Sequence, residues 1–255
     1  MTKNQIKRQL IKLAHEGQLF DQNQENMWSI FYSSADKYSE VIHACEGQSK
    51  VLDAGCGGGM LLAALDHLGH ECYGCDHTDC PERYPRVFKE REIVFSRCNF
   101  EIDPLPFPDN FFDAVVCGQC LEHFTYSHLG AVKEFRRVLS PGGKVIIDVP
   151  NVACFRNRLR LLRGKNITWD YERNYLRVDP IIYNNQSFFP DRHNREFTVS
   201  ELELLLNLAE FKDVQVSFLK SRRIRVGNDR IKYLGTMLRD LIPSLRKSII
   251  GIGLK

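Results

Sequence analysis

No stretch of the chain approaches the ~20 consecutive apolar residues that a membrane-spanning helix needs. The opening segment, MTKNQIKRQLIKLAHEG, has no apolar core of the kind a secretion signal carries. Repeats and low-complexity tracts are lacking too, and so is a strong net charge: 35 Lys and Arg stand against 32 Asp and Glu. These absences argue against a membrane-spanning chain and a disordered one. Nine cysteines without a secretion signal are expected to be reduced thiols, which places the protein in the cytoplasm. What is present suits a folded enzyme-sized domain. Apolar residues make up 43%, and 255 residues suffice for one large α/β domain or one domain with a small lid.

The small net charge hides an asymmetry. Residues 1–150 carry 15 Lys and Arg against 21 Asp and Glu, whereas residues 151–255 carry 20 against 11. A basic C-terminal part suits an anionic partner such as a phosphorylated substrate, a lipid head group or nucleic acid, and equally an ordinary solvated surface.

Ile6, Leu10, Leu13 and Ala14 recur at helical spacing, so the chain opens on an amphipathic helix, followed by an aromatic stretch from Met27 to Tyr38. Short apolar runs at 50–54, 71–76, 93–97, 112–117 and 144–149 then read as buried strands. Helical stretches lie between several of them. The clearest, His128 to Leu139, is terminated by Ser140-Pro141-Gly142-Gly143. Strands alternating with helices imply a doubly wound, Rossmann-like parallel sheet with helices on both faces. Val152, Phe155, Leu159 and Leu162 predict another helix, while 166–196 is irregular enough to be a lid or binding loop. Thr198 caps a helix over 200–209, and strands are expected at 214–218 and 248–254.

The sharpest motif is Asp53-Ala54-Gly55-Cys56-Gly57-Gly58-Gly59 at the end of the first strand. Glycines there allow a tight turn and a ligand close to the backbone. The dinucleotide fingerprint would place a third glycine where this chain has Met60. A carboxylate at Asp53 would also repel a pyrophosphate, whereas it attracts the ammonium and sulfonium of S-adenosylmethionine. Asp76, at the end of the second strand, is placed to accept both ribose hydroxyls, as it would for NAD. Asn99 and Phe100, after the third strand, fall where an adenine would lie; Asn99 offers a donor and an acceptor.

These blocks resemble the class I S-adenosylmethionine-dependent methyltransferases, the broad group acting on small molecules. The pieces that carry the resemblance are residues 51–59 (VLDAGCGGG), 73–76 (YGCD), 105–115 (LPFPDNFFDAV), 121–124 (LEHF) and 139–144 (LSPGGK). The resemblance implies a seven-stranded sheet with an antiparallel last strand. It implies an N-terminal helical cap over 1–45 and the methyltransferase domain over 46–255, with 151–197 as a lid or substrate insertion and 219–247 as a basic insertion. S-adenosylmethionine is the implied cofactor, held by Asp53, Gly55, Cys56, Gly57, Asp76, His77, Asn99, Phe100 and Gln119. Asn99 departs from the acid that the family often has there. Residues 150–160 and 192–198 are similar to methyltransferases encoded with bacterial glycan and cell-envelope pathways, which leans the acceptor toward a hydroxyl of a sugar or lipid-linked intermediate.

Methyl transfer needs alignment more than it needs a catalytic group, but a hydroxyl acceptor benefits from a general base. His123, after the fourth strand, and His193, in the expected lid, are the candidates; Glu122 reads as a helix-start acid or a substrate contact. No metal is expected. His70, Cys72, Cys75, His77 and Cys80 mimic zinc spacing, but Cys72 and Cys75 on one strand point to opposite faces. Arg156, Arg160 and Arg163 share a helix face that suits a phosphate or only water. The apolar and basic residues Arg230, Ile231, Lys232, Leu234, Leu238, Arg239, Leu241 and Ile242 suit peripheral membrane contact or packing on their own domain. Methylation of RNA or protein remains an alternative, although no RNA-binding motif is recognisable. A nicotinamide-dependent oxidoreductase on a related fold is another.

Overall fold

The computed structural model describes residues 1–20, 25–91, 93–168, 170–190, 192–220 and 239–255. In chain order the strands are β1 (Lys50–Ala54), β2 (Glu71–Asp76), β3 (Val94–Arg97), β4 (Phe112–Gly118), β5 (Leu139–Pro150), β6 (Ile181–Tyr183), β7 (Gln186–Phe188), β8 (Lys212–Leu219) and β9 (Ser248–Leu254). The main helices are α1 (Lys3–His15), α2 (Glu25–Ala44), α3 (Met60–His67), α4 (Cys80–Arg83), α5 (Pro85–Phe88), α6 (His128–Val138), α7 (Phe155–Leu162) and α8 (Val199–Leu208). Seven strands form one sheet in the order β3-β2-β1-β4-β5-β9-β8, and β9 runs antiparallel to both its neighbours. The order reverses beside β1, between the two halves of the parallel sheet. The carboxyl ends of β1, β2 and β4 therefore meet at the switch point where open α/β sheets bind ligands.

Apolar side chains cover both faces. One face packs Val51, Cys72, Val116 and Ile146 against α1, α2, α3 and α5; the other packs Leu52, Cys75, Val115 and Ile147 against α6 and α8. Cys72 and Cys75 thus lie on opposite sides of the sheet. Fully buried residues such as Leu62, Phe135 and Leu202 each contribute about 1.5–3 kcal/mol of hydrophobic stabilisation. Capping boxes start two helices: Thr2 with Gln5 at α1, and Thr198 with Glu201 at α8.

The aromatic stretch, within the segment expected to be a helical cap, is a 20-residue helix, α2, whose Met27, Phe31, Ala35 and Ile42 face the core. Two features differ from what the sequence predicts. Strand β5 begins at Leu139, directly after α6, so Ser140-Pro141-Gly142-Gly143 lies within its irregular start, where the register against β4 shifts between Phe112 and Ala114. The irregular stretch 166–196 holds a hairpin, β6–β7, whose turn residues Asn184 and Asn185 have φ of 48° and 61°. That left-handed pair is the twist a two-residue hairpin turn requires. Of the basic segment 219–247, residues 221–238 lie outside the described residues, and with them Arg230, Ile231, Lys232, Leu234 and Leu238. Among the described residues no helix is long and apolar enough to cross a membrane.

Candidate functional site

The glycine turn is held by its backbone. The amides of Gly55 and Cys56 donate to Cys75 O at 2.7 and 3.2 Å, and Gly59 N donates to Cys56 O at 2.9 Å. Gly55 has φ 81°, and a Cβ added there would meet Cys120 Sγ at 2.7 Å. Gly57 has φ 49° and open space where a Cβ would be, so it leaves room beside the turn.

Asp76 is buried and ties the turn to β2. One carboxylate oxygen accepts from Gly57 N at 3.0 Å; the other accepts from Thr78 N and Thr78 Oγ1, both at 3.0 Å, and lies 3.2 Å from His77 Nδ1. The cavity beside it, about 160 Å³, is lined by Gly55, Asp76, His77, Asn99, Phe100, Gln119, Cys120, His123 and Phe188 among others. At its far end Asn99 is buried; its Oδ1 accepts from Glu101 N, while its Nδ2 has no hydrogen-bond partner among the described residues. The ring of Phe188, from β7, meets His77 edge-on at 5.3 Å and closes the cavity from above.

Asp53 opens into a second cavity, about 180 Å³, whose walls include Lys37 and Tyr38 of α2, Gly55, Gly118 and Asp148. Burial pushes Asp53 up to about 7, with Asp76 and Asp148 adding to the shift and Lys37 opposing it. Asp148, on β5, accepts from Gln119 Nε2 at 2.7 Å and lies 3.6 Å from Lys37 Nζ. Burial also raises the Asp148 pKa, against the pull of Lys37 and Gln119. For Lys37, burial works against the charge, but the attraction of Asp148, Tyr38 and Glu122 outweighs it and raises its pKa. Lys37 is therefore an ammonium at neutral pH. Gln119 sits at φ 53°, which turns its side chain from the end of β4 onto Asp148.

A third cavity, about 230 Å³, is lined by Ser33, Ser34, Lys37, Gln119, Asn151, Arg156, His193, Glu196 and Lys247 among others. It shares Gln119 with the first cavity and Lys37 with the second, so the three surround one point above the switch in strand order. His123 and His193 meet there, with ring centroids 4.8 Å apart and planes at 90°. His123 Nδ1 lies 3.1 Å from Arg192 O, and His193 Nδ1 lies 3.4 Å from Glu196 Oε1. Glu196 in turn accepts from the buried Asn157 Nδ2 at 2.6 Å. Glu122 is 1% exposed, and neither carboxylate oxygen has a hydrogen-bond partner among the described residues. Burial accordingly pushes its carboxyl up to about 8.

Of the residues singled out from the sequence, Asp53, Gly55, Cys56, Asp76, His77, Asn99, Phe100, Gln119, His123 and His193 line these cavities, whereas Gly57 and Glu122 are not among the lining residues. Of the basic helix face, only Arg156 lines one: Arg160 donates to Asn166 O and Thr168 O within its own loop, and Arg163 is exposed. Lys37, Asp148, Glu196 and Phe188 are additions that the sequence did not point to. The periodicity of Met27, Phe31, Ala35, Tyr38 and Ile42 was the available signal for α2, and hence for Lys37. A lone acid in the apolar run Val145-Ile146-Ile147-Asp148-Val149 was the signal for Asp148.

Residues 52–147 match the protein family described as "Methyltransferase domain". A protein of Mycolicibacterium smegmatis described as a probable S-adenosylmethionine-dependent methyltransferase is 32% identical over 137 residues, covering 52% of this chain and 49% of its own. The ubiquinone/menaquinone biosynthesis C-methyltransferase UbiE of Burkholderia mallei is 35% identical over 102 residues, 38% of this chain and 42% of that protein. The chain thus spans about half the length or less of these curated relatives. The 1,6-didemethyltoxoflavin-N1-methyltransferase of Burkholderia thailandensis, solved with its acceptor and S-adenosylhomocysteine, shares the fold at TM-score 0.54 and 18% identity, covering 98% of this chain and 87% of its own. The phosphoethanolamine N-methyltransferase 2 of Haemonchus contortus, solved with S-adenosyl-L-methionine, does so at TM-score 0.56 and 16% identity, covering 86% and 52%. With its glycine turn, its paired strand-end acids and the reversed β9, the chain resembles the class I S-adenosylmethionine-dependent methyltransferases, and its residues 52–147 match a methyltransferase domain.

Proposed function

We propose that this protein transfers the methyl group of S-adenosylmethionine to a small anionic acceptor bound in the cavity lined by Lys37, Arg156, His193 and Lys247. One observation carries the reading: the cavity beside the glycine turn and the basic cavity share Gln119, so a donor in one and an acceptor in the other would meet. The residues fit the donor. Asp76 would receive the ribose hydroxyls, and the unpartnered Asn99 Nδ2 would donate to the base, with Phe100 and Phe188 supplying apolar walls. Gly55, Cys56 and Gly57 would border it with backbone, and His77 with its ring. Asp53 would face its ammonium, and Lys37 would attract its carboxylate.

When bound, S-adenosylmethionine supplies an electrophilic methyl group on a sulfur that is already a good leaving group. The protein's task is then to align the acceptor, exclude water and stabilise the acceptor's deprotonated atom. In this reading α1 and α2 (1–45) form the cap, and 151–197 forms the lid, with the β6–β7 hairpin over the base end. His123 and His193 stand where the acceptor's reacting atom would lie. Beyond Lys37, which would attract the donor's carboxylate, Arg156 and Lys247 stand against one carboxylate, Glu196, in the lining, which favours an acceptor bearing phosphate or carboxylate, such as a sugar or lipid-linked hydroxyl compound. Nine free thiols suit a reducing compartment, the cytoplasm.

Incubating the protein with cell metabolites and methyl-labelled donor, and searching by mass spectrometry for a compound that gains one methyl, tests the reading; an anionic product is the expected outcome. With that acceptor, His123→Ala is expected to lower turnover about 10²-fold while S-adenosylhomocysteine affinity stays within about twofold. Equal turnover would remove His123 from the reaction.

Binding should also depend on pH. With Asp53 titrating at about 7, its ionised fraction rises from about a tenth at pH 6 to about nine tenths at pH 8. An ammonium beside it prefers the ionised form. S-adenosylhomocysteine is therefore expected to bind several-fold more tightly at pH 8 than at pH 6, and Asp53→Asn to flatten that dependence. A calorimetric series showing the same slope in both proteins would contradict the assignment.

A further inference from the structure

Glu122 presents a problem that methyl transfer alone does not solve: a carboxyl 1% exposed, with both oxygens unpartnered among the described residues. Burying such a group without a partner is costly, and natural structures retain it where something else satisfies it. A ligating nitrogen of His123, one of His193 and a carboxylate oxygen of Glu122 all lie within 4.8 Å of one another. We propose that Glu122, His123 and His193 form a binding site for a divalent transition-metal ion, with open coordination positions toward the acceptor cavity.

The surrounding contacts are those a metal site needs. Metal-bound imidazoles characteristically pass their other ring N–H to a carboxylate or a backbone carbonyl. His193 Nδ1 faces the Glu196 carboxylate, itself fixed by Asn157, and His123 Nδ1 faces Arg192 O. In the proposal Nε2 would be the ligand from each ring. The backbone holds the two halves together: Asn194 N and Arg195 N donate to Glu122 O at 2.7 and 3.2 Å, and Asn194 Nδ2 donates to His123 O at 2.7 Å. Ligands about 2.0–2.2 Å from an ion stand roughly 3–3.5 Å apart, so closure needs only side-chain rotation of about an ångström. Two imidazoles and one carboxylate suit Zn²⁺, Fe²⁺, Co²⁺ or Mn²⁺.

A second cluster, Cys56, Asp76 and Cys80, is equally close, but its carboxylate holds the glycine turn through Gly57 N and stands where the donor's ribose would bind. The first cluster escapes a search of sequence spacing because 70 positions separate its two histidines. The proposal therefore departs from the expectation of no metal. An ion there would carry net positive charge toward the basic cavity and would polarise an acceptor oxygen. That consequence rests on the methyl-transfer reading; the binding of the ion does not.

The test uses the full chain without a polyhistidine tag, stripped by chelator and saturated with S-adenosylhomocysteine, and titrated with Co²⁺ by absorption and Zn²⁺ by calorimetry. One equivalent per chain is expected, with visible cobalt bands and without thiolate charge-transfer absorption. Glu122→Gln and His193→Ala are each expected to weaken binding 10- to 100-fold and to leave S-adenosylhomocysteine affinity within about twofold. No saturable binding in the unaltered chain, thiolate absorption, or unchanged affinity in both variants would overturn the proposal. Metal binding without S-adenosylhomocysteine binding would instead count against the functional reading alone.

Discussion

Replacing Asp76 by Ala is expected to weaken S-adenosylhomocysteine binding about 30- to 100-fold, measured by calorimetry on the folded variant. A carboxylate receiving two hydroxyls makes charge-assisted bonds of about 1.5–3 kcal/mol, which converts to roughly 10- to 150-fold. Asp76 also accepts from Gly57 N, so its loss loosens the glycine turn as well as the contact. Asp76→Asn separates the two effects. Its amide oxygen can still accept from Gly57 N, but it lacks the charge and one acceptor, and an intermediate loss is expected. Unchanged affinity in a folded Asp76→Ala variant would remove the ribose assignment.

The second large effect concerns stability. Glu122 titrates near 8 in the folded protein, against 4.5 for an exposed glutamate, and burial is the main cause. Below pH 4.5 the group is protonated in both the folded and the unfolded chain and its ionisation adds no difference in stability. Between 4.5 and 8 the unfolded chain ionises while the folded one keeps its proton, so stability falls as pH rises, and the loss levels off above 8. Glu122→Gln keeps the shape and removes the titration. In chelator-treated protein the variant is expected to equal the parent near pH 4.5 and to exceed it by about 2–4 kcal/mol at pH 8, in urea unfolding followed at both pH values. Asp53 and Asp148 titrate in both proteins and cancel in the difference. A pH-independent difference would mean that the carboxylate is ionised and partnered.

Asp53, the glycines and Asp76 were legible in the sequence because each belongs to a local strand-to-turn pattern, and the parallel sheet followed from apolar runs recurring between helical stretches. The chemistry around Gln119 was less legible because distant segments assemble it. Lys37 comes from α2, Asp148 from β5 and Glu196 from the segment before α8, and no spacing links them. Helix α2 falls within the helical cap expected over 1–45, and its Met27, Phe31, Ala35, Tyr38 and Ile42 keep a period of three to four, but nothing local to the segment marks Lys37 as a site residue. The hairpin β6–β7 did carry a local signal, Asn184-Asn185 between two apolar-aromatic runs. Glu122 read as a helix-start acid because burial, not residue type, sets it apart.

The central claim is that the carboxylate-flanked turn accepts a cationic nucleoside and refuses a diphosphate. Titrating the protein with S-adenosylhomocysteine and, separately, with NAD tests it directly. The account predicts saturable one-to-one binding of S-adenosylhomocysteine and no heat of binding from NAD at the same concentrations. Binding of NAD without S-adenosylhomocysteine would contradict it.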